Sequence, residues 1–533
     1  MSREAVPVSD VARLVARQAR ECGDRRFLED VHGRALSYAE LAILVRRQRA
    51  TLDAAAIPAG GRVLIDIADP IEFSAAYIGV IAAGRCAVPM NADAVAAELE
   101  RTAAAVRPTA VIGVGVNRAG YLDLPVLPPV GGARSRDALS PSRSIPAVHG
   151  HGADARRAPS PGSVLLLTSG STGAPKAVEL TEDRLLHVAR AVARHNRLTA
   201  ADRGFSPLPL CHINAEVVAL LATLTAGAGL VLDRRFHRHG FWDALAEHDV
   251  TWVNLVPAIL TILAEYPVPV RPRRLRFIRS ASAPLPVAVR RRIEVLAGVP
   301  VVESYGMTEA GSQITATPLD GTAPAGSCGK PVGAEVEVRD SNGRQVPPGT
   351  TGQIWIRGAG VIDAYDRGRA AERFDTGGWL DTRDRGHLDG DGFLFVAGRC
   401  DDVINRGGEM LYPGEIEEVL VDDPGVQEAV VVGRPDPVLG QVPVAYVIPA
   451  RDHATAVGRH ELLATLSARC SAQLSRYKVP EAIHVVEELP RAASGKIQRH
   501  AVARGGDLLE RPSAGVVAQP ERPEGSTPRR WPG

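Results

Sequence analysis

The sequence predicts an α/β protein: a large N-terminal domain of layered α/β sheets with a small β-rich subdomain, followed by a small mobile α+β C-terminal domain. Three observations predict it. Apolar helical periodicity and short buried runs alternate as far as about Tyr305. From Gly326 to Val396 short β-like runs are separated by Gly/Pro turns. After Gly398 a stretch of about a hundred residues, the usual size of a domain, mixes both patterns. At 533 residues the chain is also too long for one core.

Ser37 is placed to cap a helix over Tyr38–Leu52, whose apolar residues recur at helical spacing. A strand at Arg62–Ala68, a helix at Pro70–Ala83 and a strand at Thr109–Val114 follow. Residues 131–163, rich in Gly, Ser, Pro and Arg, read as a connection. Val164–Thr168 is a buried strand, and Val299–Val302 another. Glu335–Arg339 and Gln353–Arg357 are strands of the β-rich subdomain. The C-terminal domain is expected to hold a helix at Glu415–Val421, strands at Glu428–Val432 and Val442–Ile448, and a helix near Glu461–Leu474. The domains are therefore 1–398, with the β-rich part at 326–396, then 399–504. From Gly505 the tail has few apolar residues and is expected to be disordered.

Composition narrows the function. A net charge of +1 excludes a broad nucleic-acid surface. The six cysteines form no Cys-x-x-Cys pair, which argues against zinc and thiol redox chemistry and fits a cytoplasmic protein. The N-terminus has no signal-peptide pattern. The longest apolar run, Val217–Leu232, is short for a bilayer span and is interrupted by Thr223, Thr225, Gly227 and Gly229, so no membrane span is expected. Of 62 basic residues only four are lysines: Lys176, Lys330, Lys478 and Lys496. A slim, rotatable point charge retained so rarely marks places where a wide guanidinium will not serve.

Lys176 closes a loop of Thr168, Ser169, Gly170, Ser171, Thr172, Gly173, Ala174 and Pro175 that follows a buried strand. Backbone N–H groups and hydroxyls in such a loop surround phosphate oxygens. It is not a Walker A loop, because Ala177 and not Ser or Thr follows the lysine. Glu303-Ser-Tyr-Gly-Met-Thr-Glu309 sets a carboxylate and a hydroxyl beside an aromatic ring, a set able to hold magnesium and stack a base. Leu380-Asp-Thr-Arg-Asp384 places acids in a turn, and Gly398–Glu409 opens a new domain with an acid pair, an arginine and paired glycines. Lys496 lies in Ser494-Gly-Lys-Ile-Gln-Arg499.

Taken in order, these segments resemble the adenylate-forming superfamily of acyl-CoA synthetases, nonribosomal-peptide adenylation domains and luciferases. The resemblance implies a two-step reaction in which a small carboxylic acid attacks the α-phosphorus of ATP, pyrophosphate leaves, and a thiol then takes the acyl group. It implies ATP, Mg2+ and CoA. It assigns Thr168, Ser169, Gly170, Ser171, Thr172, Gly173 and Lys176 to the phosphates, and Tyr305, Gly306 and Met307 to the nucleotide. Thr308 would hold phosphate and Glu309 magnesium. Asp384 and Arg399 would contact ribose, although the family usually has Thr-Gly-Asp where this chain has Thr382-Arg-Asp384. Asp401 would be the hinge of the C-terminal domain, Lys496 the catalytic lysine, and Gly407 and Gly408 the thiol tunnel. Lys330 is read as mainly structural, and Lys478 as a support of the C-terminal domain or a surface residue.

The same resemblance places His212, Glu216, Asn254, Ser282 and Ala283 at the acyl pocket. His212 is either a pocket residue or a buried, hydrogen-bonded ring. Glu216 stands where relatives often carry glutamine; it either binds a substrate amine or is a partly solvated glutamate paired with an arginine. The Gly407–Glu415 pattern looks more like acyl-CoA synthetases than peptide-synthetase domains, and CoA is the expected acceptor. Three alternatives stay open: delivery of an amino or aryl acid to a carrier protein, a diazotase that activates nitrite for an arylamine, and an inactive nucleotide-binding regulator.

Overall fold

A computed structural model describes residues 9–91, 94, 96–113, 124–130, 162–168, 176–368, 370–406, 409–436, 439–450, 455–491, 497–505 and 516–518. The chain divides into two compact units, one of residues 1–382 with 386–396 and the other of 383–385 with 397–533.

The first unit contains two large sheets. In one, Val126–Leu127, Ala110–Gly113, Arg62–Asp66, Cys86–Pro89 and Ser163–Thr168 run parallel, and Lys176–Thr181 returns antiparallel along Ser163–Thr168. That hairpin puts Lys176 directly opposite Thr168. The other sheet has nine strands. Its centre is parallel: Val301–Tyr305, Phe277–Ser280, Trp252–Leu255, Arg203–Ser206, Gly229–Leu232 and Arg26–Asp30. These strands are largely buried, as parallel strands covered on both faces should be, and most also carry polar residues such as Asn254, Arg279 and Glu303. Ser37 forms a full capping box with Glu40 at the start of the helix Tyr38–Ala54. Asp69 caps Pro70–Ala82, with proline at the first helical position.

The apolar run Val217–Leu232 is an interior element. It forms a π-helix over Asn214–Leu221, an α-helix over Ala222–Ala226, and then the strand Gly229–Leu232. Every residue of the π-helix is buried. Among the described residues no helix is long and apolar enough to cross a membrane. The β-rich subdomain is a sheet in the order Glu335–Arg339, Gly352–Arg357, Leu380–Leu388, Leu394–Arg399. Lys330 holds its ammonium 4.5 Å from the Phe393 ring centre, a packing role.

The second unit is built on a long antiparallel pair, Val426–Asp436 with Gly440–Pro449, against which Ala482–Val485 lies parallel. Its core joins Ile416 and Leu420 of the helix Pro413–Val421 to Leu462, Leu463 and Leu466 of the helix Ala456–Gln473. Lys478 is ion-paired with Glu415 within this unit. The tail differs from the expectation of disorder at one place. Val516–Ala518 pairs antiparallel with Ala482–Val485. These residues are the tail's short run of β-branched and small apolar side chains, the composition that a sheet edge recruits.

Candidate active site

The strand Val301–Tyr305 leads into a tight turn and the short 3-10 helix Thr308–Ala310. Gly306 is required there, because a Cβ would lie 1.4 Å from the Ser312 carbonyl oxygen. Ser312 itself has φ +99°, a strained conformation for a residue with a side chain. The turn buries Glu309 to 6% exposure. The Tyr365 hydroxyl donates to Glu309 Oε1 at 2.7 Å, and Arg373 Nη1 reaches the same oxygen at 3.4 Å. Arg373 also donates to the Tyr365 hydroxyl and, through Nε, to the Asp381 carbonyl at 2.9 Å. Burial and the Glu309 charge raise the Tyr365 pKa, so it stays a neutral donor. Lys176 Nζ sits 5.5 Å from the Tyr365 ring centre. Tyr365 thus links Lys176, at the end of the Thr168–Lys176 segment, to the acid of the Tyr-Gly-Met-Thr-Glu run. Glu303, the first residue of that segment, takes a different partner, Arg290 at 3.0 Å.

A second cluster lies at the carboxyl ends of the parallel strands, where open α/β sheets bind ligands. Asn254 and Arg279 are register partners on neighbouring strands. Asn254 Nδ2 donates to Asn214 Oδ1 at 3.3 Å, and Arg279 Nη1 donates to Asn254 Oδ1 at 3.4 Å. Arg279 Nη2 donates to Ser304 Oγ at 2.8 Å and to Gln313 Oε1 at 2.5 Å. Arg279 is completely buried, which presses its pKa down to about 9, still a cation at neutral pH. Nearby in sequence, His212 Nε2 is buried with no partner among the described residues, and burial lowers its pKa. Ser282, at φ +77°, and Ala283 are exposed in the turn after the Arg279 strand.

Glu216 departs from the reading as a partly solvated glutamate paired with an arginine. It is fully buried and accepts a hydrogen bond from the Tyr77 hydroxyl at 3.0 Å, with no arginine partner among the described residues. Burial raises its pKa to about 8, so it is mostly a neutral acid at pH 7. The reason is topological: Tyr77 belongs to the helix Pro70–Ala82, so this carboxyl is part of the packing of that helix and not a solvated ion pair.

In the second unit Arg399 lies 3.5 Å from Asp384 and, through its other terminal nitrogen, 3.5 Å from Asp401. Arg383 occupies the usual glycine position at φ +65°, the left-handed conformation that glycine tolerates, and reaches Asp401 Oδ1 at 3.0 Å. Burial opposes ionisation of Asp401, but Arg383 and Arg399 outweigh it and hold the carboxyl below its usual range.

Ser169, Gly170, Ser171, Thr172, Gly173, Gly407, Gly408 and Lys496 lie outside the described residues, and Thr168 is described by its backbone alone. The site residues that sequence reasoning missed are Tyr365 and Arg373 around Glu309 and Gln313 in the second cluster; Asn214, Arg279 and Ser304 fall in the segments Leu208–Val217 and Arg279–Ala283 and the stretch before Tyr305, which the resemblance assigns to the acyl pocket.

Comparison with known proteins gives this architecture its class. The chain belongs to the AMP-binding enzyme family, which it matches over residues 15–366, with the AMP-binding enzyme C-terminal domain over 415–496. It is an ATP-dependent, AMP-forming acid–CoA ligase: a carboxylic acid is converted to an acyl-adenylate and passed to CoA. The sulfoacetate–CoA ligase of Cupriavidus necator is 36% identical over 504 residues, covering 92% of this chain and 96% of that protein. An oxalate–CoA ligase of Arabidopsis thaliana is 33% identical, covering 94% and 98%. The crystal structure of ATP-bound MatB from Rhodopseudomonas palustris superposes with a TM-score of 0.81 at 27% identity, covering 94% of this chain and all of that one.

Proposed function

We propose that this ligase activates a small, polar carboxylic acid through its own Lys496, Thr308 and Glu309, and that the acceptor is free CoA. The observation that carries the assignment of roles is the Lys176–Tyr365–Glu309–Arg373 cluster, because it draws one residue from the phosphate loop and one from the Tyr-Gly-Met-Thr-Glu run onto a single phenol. The relatives' names, sulfoacetate and oxalate, put a short acid ahead of a long acyl chain.

In this reading the phosphate loop and Lys176 hold the β- and γ-phosphates, and Thr308 holds a phosphate oxygen. Nucleotidyl transfer depends on holding oxygens in line and neutralising their charge. Both contacts to Glu309 land on Oε1, which leaves Oε2 for a hard cation. No group of three acidic, His or Cys ligands occurs among the described residues, and a phosphate-bound magnesium needs only one or two carboxylates. Such an ion would supply charge neutralisation at the phosphates. Lys496 bridges the acid and the α-phosphate, Asp384 and Arg399 take the ribose, and Tyr305 stacks on adenine. Rotation about Asp401 withdraws Lys496 for the thiol step, in which Gly407 and Gly408 line the path of CoA. A second reading, recognition of a substrate amine by Glu216, rests on Oε1, which is buried and unpartnered among the described residues while Oε2 serves Tyr77.

The test separates the two half-reactions. Lys496→Ala should slow acid-dependent pyrophosphate release by about 100-fold or more, the scale of removing a positioned charge from a transition state. CoA attack on supplied acyl-adenylate should be spared. Equal loss in both half-reactions would show that Lys496 does not act in adenylation alone.

A further inference from the structure

Arg279 is a buried cation surrounded by neutral groups. Its described partners are Asn254, Ser304 and Gln313, all uncharged, and no described carboxylate lies within ion-pair distance. Buried guanidinium groups normally have an anionic partner, because an ion taken out of water loses its hydration and needs an opposite charge in return. The surroundings are also rich in unused donors. Arg279 Nε, Asn214 Nδ2 and Gln313 Nε2 are buried and unpartnered among the described residues, and each of these atoms can only donate. Three orphan donors around an uncompensated positive charge make a site with the chemistry of an anion receptor.

Its place in the fold says which anion. Asn254 and Arg279 are the third of four residues in their strands, and Ser304 immediately precedes Tyr305. The cluster therefore sits beside the segment that handles the nucleotide, at the strand ends where the acid must lie. The carboxylate that becomes the adenylate cannot also be the group bound to Arg279, because it must be presented to phosphorus.

We propose that Arg279 recognises a second anionic group on the acid, a carboxylate or a sulfonate, so that this ligase selects small dianionic acids over monocarboxylates. The inference rests on the ligase reading above and deepens it. Asn254 Oδ1 and Gln313 Oε1 hold the guanidinium as neutral stand-ins; the substrate's oxygens replace them and also accept from Arg279 Nε and the amide nitrogens. Gln313 follows Gly311 and Ser312, both in left-handed conformations, so a strained turn carries the residue that must give way.

The experiment uses the full chain with ATP, magnesium and CoA. Pyrophosphate release is measured with malonate and with malonamate, the same chain ending in a neutral amide, and with sulfoacetate and propionate. Direct binding of each acid is measured by calorimetry alongside. The wild type should prefer the dianion by about 100-fold or more in kcat/KM, since a site built for a polar group rejects an analogue lacking it. Arg279→Gln should collapse that ratio toward unity, chiefly through a raised KM for the dianion, and Arg279→Lys should restore part of it. A preference for malonate without one for sulfoacetate restricts the second group to carboxylate; a preference for both supports the shared anion chemistry. A wild-type ratio near or below unity overturns the proposal. So does an Arg279→Gln that slows both members of each pair equally, the signature of a structural strut. If Arg279→Gln does not fold, a reduced preference in Arg279→Lys supports the role and an unaltered one overturns it. Turnover without dianion preference sinks this inference and leaves the ligase. Arg279-dependent malonate binding without pyrophosphate release from any acid does the reverse.

Discussion

Glu309 and Arg279 are both buried charges in the first unit, and the fold treats them in opposite ways. Glu309 is matched by Arg373 and by the Tyr365 hydroxyl. Arg279 meets only neutral oxygens and leaves Nε unpartnered among the described residues. The difference teaches how the two halves of one site are prepared. In the roles proposed above, the nucleotide half has its buried carboxylate matched within the chain, whereas the acid half keeps a charge for the substrate to balance.

The largest effect expected from this contrast is on stability. Arg373→Met strands the Glu309 carboxylate in the interior, and breaking a buried pair in this way costs about 3–5 kcal/mol. Arg279→Met removes a charge that had no counter-charge. The relief of its desolvation offsets the loss of its hydrogen bonds to Asn254, Ser304 and Gln313, so the net change should stay within about 1 kcal/mol. Denaturant midpoints of the two variants decide the matter. If Arg279→Met costs as much as Arg373→Met, the two charges are equally compensated and the contrast is gone.

A smaller effect separates Arg279 from another fully buried ionisable group of the first unit, Glu216. Its native pKa of about 8 exceeds the ordinary carboxyl value, so the folded state holds a proton that the unfolded state has already released. Stability from this group is complete below the unfolded pKa. It declines as pH rises through the window up to about 8, and no further above it. Glu216→Gln keeps an acceptor for Tyr77 but cannot ionise. Its stability relative to wild type should therefore rise across that window, by an amount on the order of a few kcal/mol. Thermal melts of both proteins from pH 5 to pH 9 provide the measurement, and parallel curves would show that Glu216 does not ionise on unfolding.

What could be read from the sequence follows from how local each signal is. The helix at Tyr38 carries its cap and its periodicity within its own residues, and so does the hairpin strand before the phosphate loop. Glu309 was legible because its turn demands Gly306 next to Tyr305, a short-range pattern. Its partners Tyr365 and Arg373 are 56 and 64 positions away, and nothing in their spacing points back to Glu309. Arg279 interrupts an apolar strand, but that interruption cannot show that its neighbours are amides and not carboxylates. Glu216 was legible as a costly carboxyl in an apolar run; its partner, 139 positions earlier on another helix, was not. Motifs thus placed segments of both halves of the site and missed the contacts made across strands and over long sequence separations.

The smallest effect tests the balanced style of charge at Arg383. Its left-handed backbone costs about 1–2 kcal/mol for a residue with a Cβ. Its ion pair with Asp401 at 3.0 Å is partly exposed and returns about 0–1 kcal/mol. Arg383→Gly gives up the pair and the strain together, so the two changes nearly cancel. Arg383→Ala gives up the pair and keeps the strain, and should be less stable than Arg383→Gly by about 1 kcal/mol. Urea midpoints of the three proteins should place wild type and Arg383→Gly together, with Arg383→Ala below. An alanine variant as stable as the glycine variant would mean that the backbone at 383 relaxes without cost. The arginine would then hold Asp401 for its charge alone, as Arg373 holds Glu309.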